Sequence, residues 1–209
     1  YIYPRAYNDN YNNLEKYKNN KKNIKIFFSG STNKEVYGKF SWDYEDNTKL
    51  LNRVEIINFV IENFKDKIFF LKSYEDLKKI DFINKPIILS INDGLVKKTK
   101  TNLTNSQHFE LISKSNFILT APGGDMPLCH HLIEGIKMNA IPISNYAYLH
   151  KPQISENNYL HFSDYNSLKV SINRALNMSD DEIKDIEEVQ TDTLNYIASR
   201  ENFRATPYS

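Results

Sequence analysis

The stretch NFILTAPGGDMPLCHHLIEGIKMNAIPI, Asn116 to Ile143, changes its hydrophobic period twice. Phe117, Ile118, Leu119 and Thr120 form an aromatic and β-branched run that Ala121-Pro122-Gly123-Gly124 ends, the pattern of a buried strand stopping at a turn. Leu132, Ile133, Ile136 and Ala140 then recur at helical spacing, giving an apolar side with Glu134 and Lys137 away from its centre. Ile141 to Ser144 reads as a second strand. Strand, glycine turn, helix and strand make a βαβ unit. Its crossover puts the turn at the carboxyl end of a parallel sheet, where open α/β sheets bind ligands. Ile136 and Ile141 are expected in the core.

Outward from this unit the same alternation continues. Upstream, Lys25 to Ser29 (KIFFS) reads as a strand ended by Gly30-Ser31-Thr32-Asn33, a second turn able to line the same sheet edge. Leu50 to Phe64 has helical apolar spacing and displays Arg53. Ile68 to Leu71 and Ile87 to Ile91 are short strands around a charged helical segment at Tyr74 to Lys79, and Lys85-Pro86 breaks any helix between them. Leu95 to Asn105 reads as a polar surface loop, followed by a short helix from Gln107 to Ser113. Downstream, Tyr159 to Phe162 is a strand, Tyr165 to Asn177 a helix, and Ser179 an N-cap with acidic Asp180, Asp181 and Glu182 opening a last helix to about Ser199. The alternation predicts an α/β fold, a Rossmann-like, mainly parallel sheet with helices on both faces. The expected organisation is a linker or N-terminal arm over 1–23, too poor in aliphatic residues for a core of its own; a Rossmann-like domain over 24–178; and a C-terminal helix and tail over 179–209.

Composition removes several function classes. A chain of 209 residues with 40% hydrophobic residues can bury a substantial core. Net charge is +1, so nothing points to nucleic acid or an anionic membrane as partner. No apolar run approaches the ~18 residues of a membrane span, and no signal-peptide pattern is seen. The single cysteine, Cys129, makes no internal disulfide and is compatible with the cytosol. A start at Tyr1-Ile2-Tyr3-Pro4 reads as a fragment or processed form.

Within the central unit, Gly123 and Gly124 let the backbone approach a ligand closely, and a phosphate is the natural guest; the alternative is a tight turn with no ligand. Glu134 is either a site carboxylate or a solvated partner of the helix dipole. His130 and His131 are adjacent, hence about 100° apart on a helix, unlike an i, i+4 chelating pair; Cys129 beside them does not repair that geometry, and no metal is expected. Either histidine can donate to a sugar or phosphate, or simply pack. Asp125 can contact sugar hydroxyls or serve as a base, although a turn acid commonly bonds its own backbone. Cys129 lacks a demonstrable base to make it a nucleophile.

The order Pro122-Gly123-Gly124, a loop, His130-His131-Leu132-Ile133-Glu134-Gly135, then Asn139-Ala140-Ile141-Pro142-Ile143 resembles the donor-binding half of GT-B glycosyltransferases, especially exostosin-like and similar bacterial polysaccharide transferases. The likeness extends over roughly 24–200 as an arrangement of elements and is specific over 116–143. It implies that Glu134 holds the donor ribose, that Gly123 and Gly124 face the diphosphate or sugar, that Gly30 and Ser31 approach the donor, and that Arg53 reaches donor phosphate. His130 and His131 join this donor-binding set, and Asp125 is the catalytic candidate. Retaining members of this group carry a second acid at a fixed distance before the helix glutamate; Met126 stands there, with Asp125 one place off, so inversion is implied. The length suits one Rossmann-like domain, so an upstream acceptor domain is expected.

The resemblance thus implies a glycosyltransferase of polysaccharide biosynthesis that moves a sugar from a nucleotide-sugar to a glycan acceptor, needing no metal and no cofactor beyond the donor itself. It would work in the cytoplasm or at the membrane periphery, or in the Golgi lumen of a eukaryote. The alternatives are a non-catalytic nucleotide or sugar-phosphate binding domain and a structural α/β interaction module.

Overall fold

The computed structural model describes residue 17 and residues 20–39, 49–94, 103–124, 129–150 and 154–190. The aliphatic and aromatic runs become strands β1 (Ile24–Gly30), β2 (Ile68–Phe70), β3 (Ile87–Ile91), β4 (Ser115–Leu119), β5 (Ile141–Ser144) and β6 (Leu160–His161). They form one sheet in the order β2-β3-β1-β4-β5-β6, and every pairing is parallel. Central strands of such a sheet are covered on both faces, which is why β3 reads Ile-Ile-Leu-Ser-Ile and is buried throughout. Register places Ile26 beside both Ile87 and Phe117, and Phe117 in turn beside Ile141.

Helices follow at α1 (Lys34–Tyr37), α2 (Arg53–Phe64), α3 (Asn105–Ser113), α4 (His131–Lys137), α5 (Tyr165–Asn177) and α6 (residues 180–190). Their starts are set by side-chain caps. Asn52 and Glu55 satisfy each other's backbone N–H groups at α2, as Thr104 and Gln107 do at α3 and Asp164 and Ser167 at α5. The Asn52 cap begins α2 three residues later than its hydrophobic spacing suggests, leaving Leu50 to pack elsewhere, against Leu132 and Tyr146. Ser179 caps α6 as expected, its Oγ accepting from the Glu182 N–H at 3.3 Å while the Glu182 carboxylate accepts from the Ser179 N–H at 2.9 Å. The segment at Tyr74–Lys79 is a 3-10 helix, and the short α1 has no counterpart in the sequence reading.

Alternation along β1 divides the core. Ile26 and Phe28 face α2, α5 and α6 through Ile56, Ile57, Val60, Leu168, Ile172 and Ile183, while Phe27 faces α3 and the 3-10 helix through Phe109, Leu111, Ile112 and Leu77. Each fully buried aliphatic or phenyl side chain contributes roughly 1.5–3 kcal/mol. Ile136 and Ile141 are completely buried. Gly135 brings α4 close to β4, since a Cβ there would lie 2.5 Å from Ile118 Cγ2. The described parts of both ends pack on this body. Tyr17 lies against Phe109, Asn20 Nδ2 donates to Ser113 Oγ at 2.8 Å, and Lys22 bonds Glu187 of α6 and the Asn139 carbonyl.

The chain leaves β1 toward α2 on one face and leaves β4 toward α4 on the other. β1 and β4 are neighbours, so their carboxyl ends flank the switch point where a doubly wound sheet opens a crevice. Among the described residues, two cavities of about 650 and 380 Å3 lie near the amino ends of the strands, beside Lys25 and Pro86 and beside Ile24 and Tyr74. Among the described residues, no helix is long and apolar enough to cross a membrane.

Candidate functional site

Gly30 ends β1 with φ +152°, a backbone that disfavours any side chain. A Cβ at this position would stand 3.4 Å from Arg53 Nη1 and 3.7 Å from His131 Cε1, ordinary contact distances, so it is the backbone conformation that calls for glycine, and Arg53 and His131 lie directly over the strand end. The following turn is anchored to β3. Ser31 Oγ donates to the Asp93 carboxylate, and Thr32 bonds the Asp93 carbonyl through both its N–H and its hydroxyl, at 3.1 and 2.7 Å.

Arg53, the first residue of α2, is 5% exposed. Its Nε donates to Pro122 O at 3.2 Å, Nη1 to Ser31 O at 3.4 Å and Nη2 to Cys129 Sγ at 3.5 Å, while the guanidinium lies 4.0 Å from the Tyr37 ring centre. Burying a cation is costly unless its donors are used, and the rigid guanidinium fork suits several acceptors at once. Arg53 therefore ties the turn after β1 to the turn after β4. Gly124 has another task. A Cβ there would lie 2.9 Å from Val36 Cγ1 and 3.1 Å from Val36 O, so this glycine makes room for α1, and half-buried Gly123 is left as the loop glycine beside the Arg53-bound Pro122. Asp125 lies outside the described residues.

The α4 side is a histidine cluster. Glu134 is 3% exposed, not on a solvated helix face, because α3 packs against that side of α4. Its Oε2 is 3.2 Å from His108 Nε2 and its Oε1 is 3.9 Å from His130 Nε2. The His131 ring is 4.4 Å from that of His130 and 5.3 Å from that of His108. Burial pushes His131 down to about 4, with Arg53 adding to the fall and Glu134 opposing it. His108 is likewise held below the ordinary histidine range, by burial above all. Burial would raise Glu134, but the His108 hydrogen bond and the neighbouring imidazoles outweigh it and bring the carboxyl to about 2. With this carboxyl ionised at pH 7, the His108 N–H donates to it. For Cys129, burial pushes the thiol up, and His130 and Arg53 together outweigh it.

No protein-family model matches this sequence, and no curated protein does. The geometry therefore speaks alone. It brings Gly30, Ser31, Arg53 and His131 together at the switch point, sets His130 and Glu134 beside them, and turns Gly124 toward α1. His108 is the member that the sequence reading missed. A signal existed, because His108 precedes Leu111 and Ile112 by three and four positions and so lies on the buried stripe of α3. Chemically the site offers one fixed cation, hydrogen-bonding imidazoles and a buried carboxylate around two strand-end turns, a set suited to an anionic, hydroxyl-bearing ligand.

Proposed function

We propose that this chain is the donor-binding half of a GT-B glycosyltransferase, moving a sugar from a nucleotide-sugar to a glycan acceptor with inversion and without a metal ion bridging the diphosphate. The observation that carries the reading is Arg53, held between Ser31 O and Pro122 O where β1 and β4 end. A guanidinium fixed there adds no reorganisation cost when a leaving diphosphate develops charge, so it favours the transition state over the ground state. Its place agrees with the resemblance in residues 116–143, whose glycine loop and helix meet the same crevice.

In this reading Gly30 and Gly123 give the diphosphate close access to backbone, and His130, the most exposed of the three histidines, donates to the sugar or phosphate. The ribose role that the resemblance assigns to Glu134 meets a carboxylate already engaged by His108, so Glu134 serves by orienting His108 and His130. A glycan acceptor and an upstream acceptor domain complete the enzyme.

A thermal-shift screen against UDP, GDP, CMP and dTDP, followed by a crystal soak with the best ligand, tests the proposal. The expected result is a nucleotide lodged between the Gly30 turn and residues 120–124. No response to any of the four, or density in the amino-end cavities, would count against it.

A further inference from the structure

We propose that His108, His131 and Glu134 form a binding site for a divalent transition-metal ion of the zinc class. Each residue offers one ligand atom, and the three atoms lie within 4.8 Å of one another, all on buried or nearly buried side chains. Across a tetrahedral centre with bonds of about 2.1 Å, ligand atoms stand about 3.4 Å apart, so small side-chain rotations close the remaining gap. Two imidazoles and one carboxylate, with a further position left for another donor, is a donor set that zinc takes readily.

The surroundings favour the ion as well. The His108 ring packs 6.1 Å from Phe27 and 5.7 Å from Phe109, an apolar wall that keeps water from competing. Arg53, the nearest fixed cation, opposes a second positive charge. Its three nitrogens are directed to Pro122 O, Ser31 O and Cys129 Sγ, and not into the cluster. His130 Nε2, 3.9 Å from Glu134 Oε1, stands nearest for the fourth position.

His130 and His131 alone do not chelate, but α3 crosses α4 and supplies His108 from the other side. An ion here would pin α3 to α4 and fix His131 beside Gly30. The assignment goes beyond the donor-binding reading and stands whether or not the crevice takes a nucleotide.

Untagged, chelator-stripped protein titrated with Zn2+ alone, and separately with Co2+ alone, decides the matter. The expected result is one ion per chain, a melting temperature that rises with Zn2+, and the intense visible bands of low-coordinate cobalt. His108→Gln and Glu134→Gln should each weaken binding by more than about a hundredfold, beyond the 10–100-fold typical of outer-shell partners. X-ray absorption on zinc-loaded wild type keeps the test independent of how the variants fold, and should report two imidazoles and a carboxylate. No uptake by wild type, binding unchanged in both folded variants, or a zinc shell lacking imidazole would overturn the site.

Discussion

Glu134 shows how one buried charge sets several properties. Glu134→Ala removes the acceptor for His108 in a dry environment, and leaving a buried donor unpaired costs about 1–3 kcal/mol. Glu134→Gln keeps an oxygen there, so it should lose less; urea denaturation of the two variants measures the difference, and equal losses would contradict the bond. Acid sensitivity follows from His131. Its folded value of about 4 lies below the ordinary 6.5, so between those values the unfolded chain takes a proton that the folded one refuses. In metal-free protein this contribution, about 3 kcal/mol, is fully present above pH 6.5 and is lost as pH falls toward 4. Glu134, lowered to about 2 from 4.5, removes more stability below pH 4.5. Urea midpoints should therefore fall steadily from pH 7 to pH 4, and His131→Asn should flatten the upper part of that slope. A flat profile in wild type would show that His131 titrates normally.

The packing of α4 on β4 shows which features were legible. Strand and helix periods gave β3, β5 and α5 at their observed bounds, and the caps gave α6 its start, because both signals depend on neighbours in sequence. The burial of Glu134 and the contribution of His108 were not legible in the same way. They arise where α3 meets α4, and the two residues are far apart in the chain. Gly123-Gly124 carried half of its meaning, since a glycine pair marks a turn but does not say that Gly124 faces α1. Gly135 is a comparable case. Helix propensity alone makes Gly→Ala favourable by about 1 kcal/mol, but the new methyl would meet the stiff Ile118 side chain at 2.5 Å, and overpacking typically costs about 1–3 kcal/mol. Gly135→Ala should lower the melting temperature, while the double variant with Ile118→Val should recover part of the loss. A more stable single variant would mean that α4 can move off the sheet.

The six-stranded sheet, with residues 20–23 and α6 packed upon it, organises ligand access for the molecule. The connections that leave β1 and β4 run to opposite faces, which leaves the carboxyl ends of these neighbouring strands as the opening, and Arg53 bridges it. Lys22 links the N-terminal arm to α6 through Glu187 at the other end of the sheet, so trimming the arm up to Asn23 should destabilise the fold without touching the crevice. Calorimetric titration of nucleoside diphosphates into wild type and Arg53→Lys, with circular dichroism on both, brings these strands of evidence to one number. Lysine keeps the charge and loses the fork that bridges Ser31 and Pro122. The expected result is binding of a nucleoside diphosphate by wild type and at least about tenfold weaker binding by the variant, or ~1.4 kcal/mol. Equal affinities in a folded Arg53→Lys protein, or no binding by wild type to any nucleoside diphosphate, would contradict a donor site at the switch point.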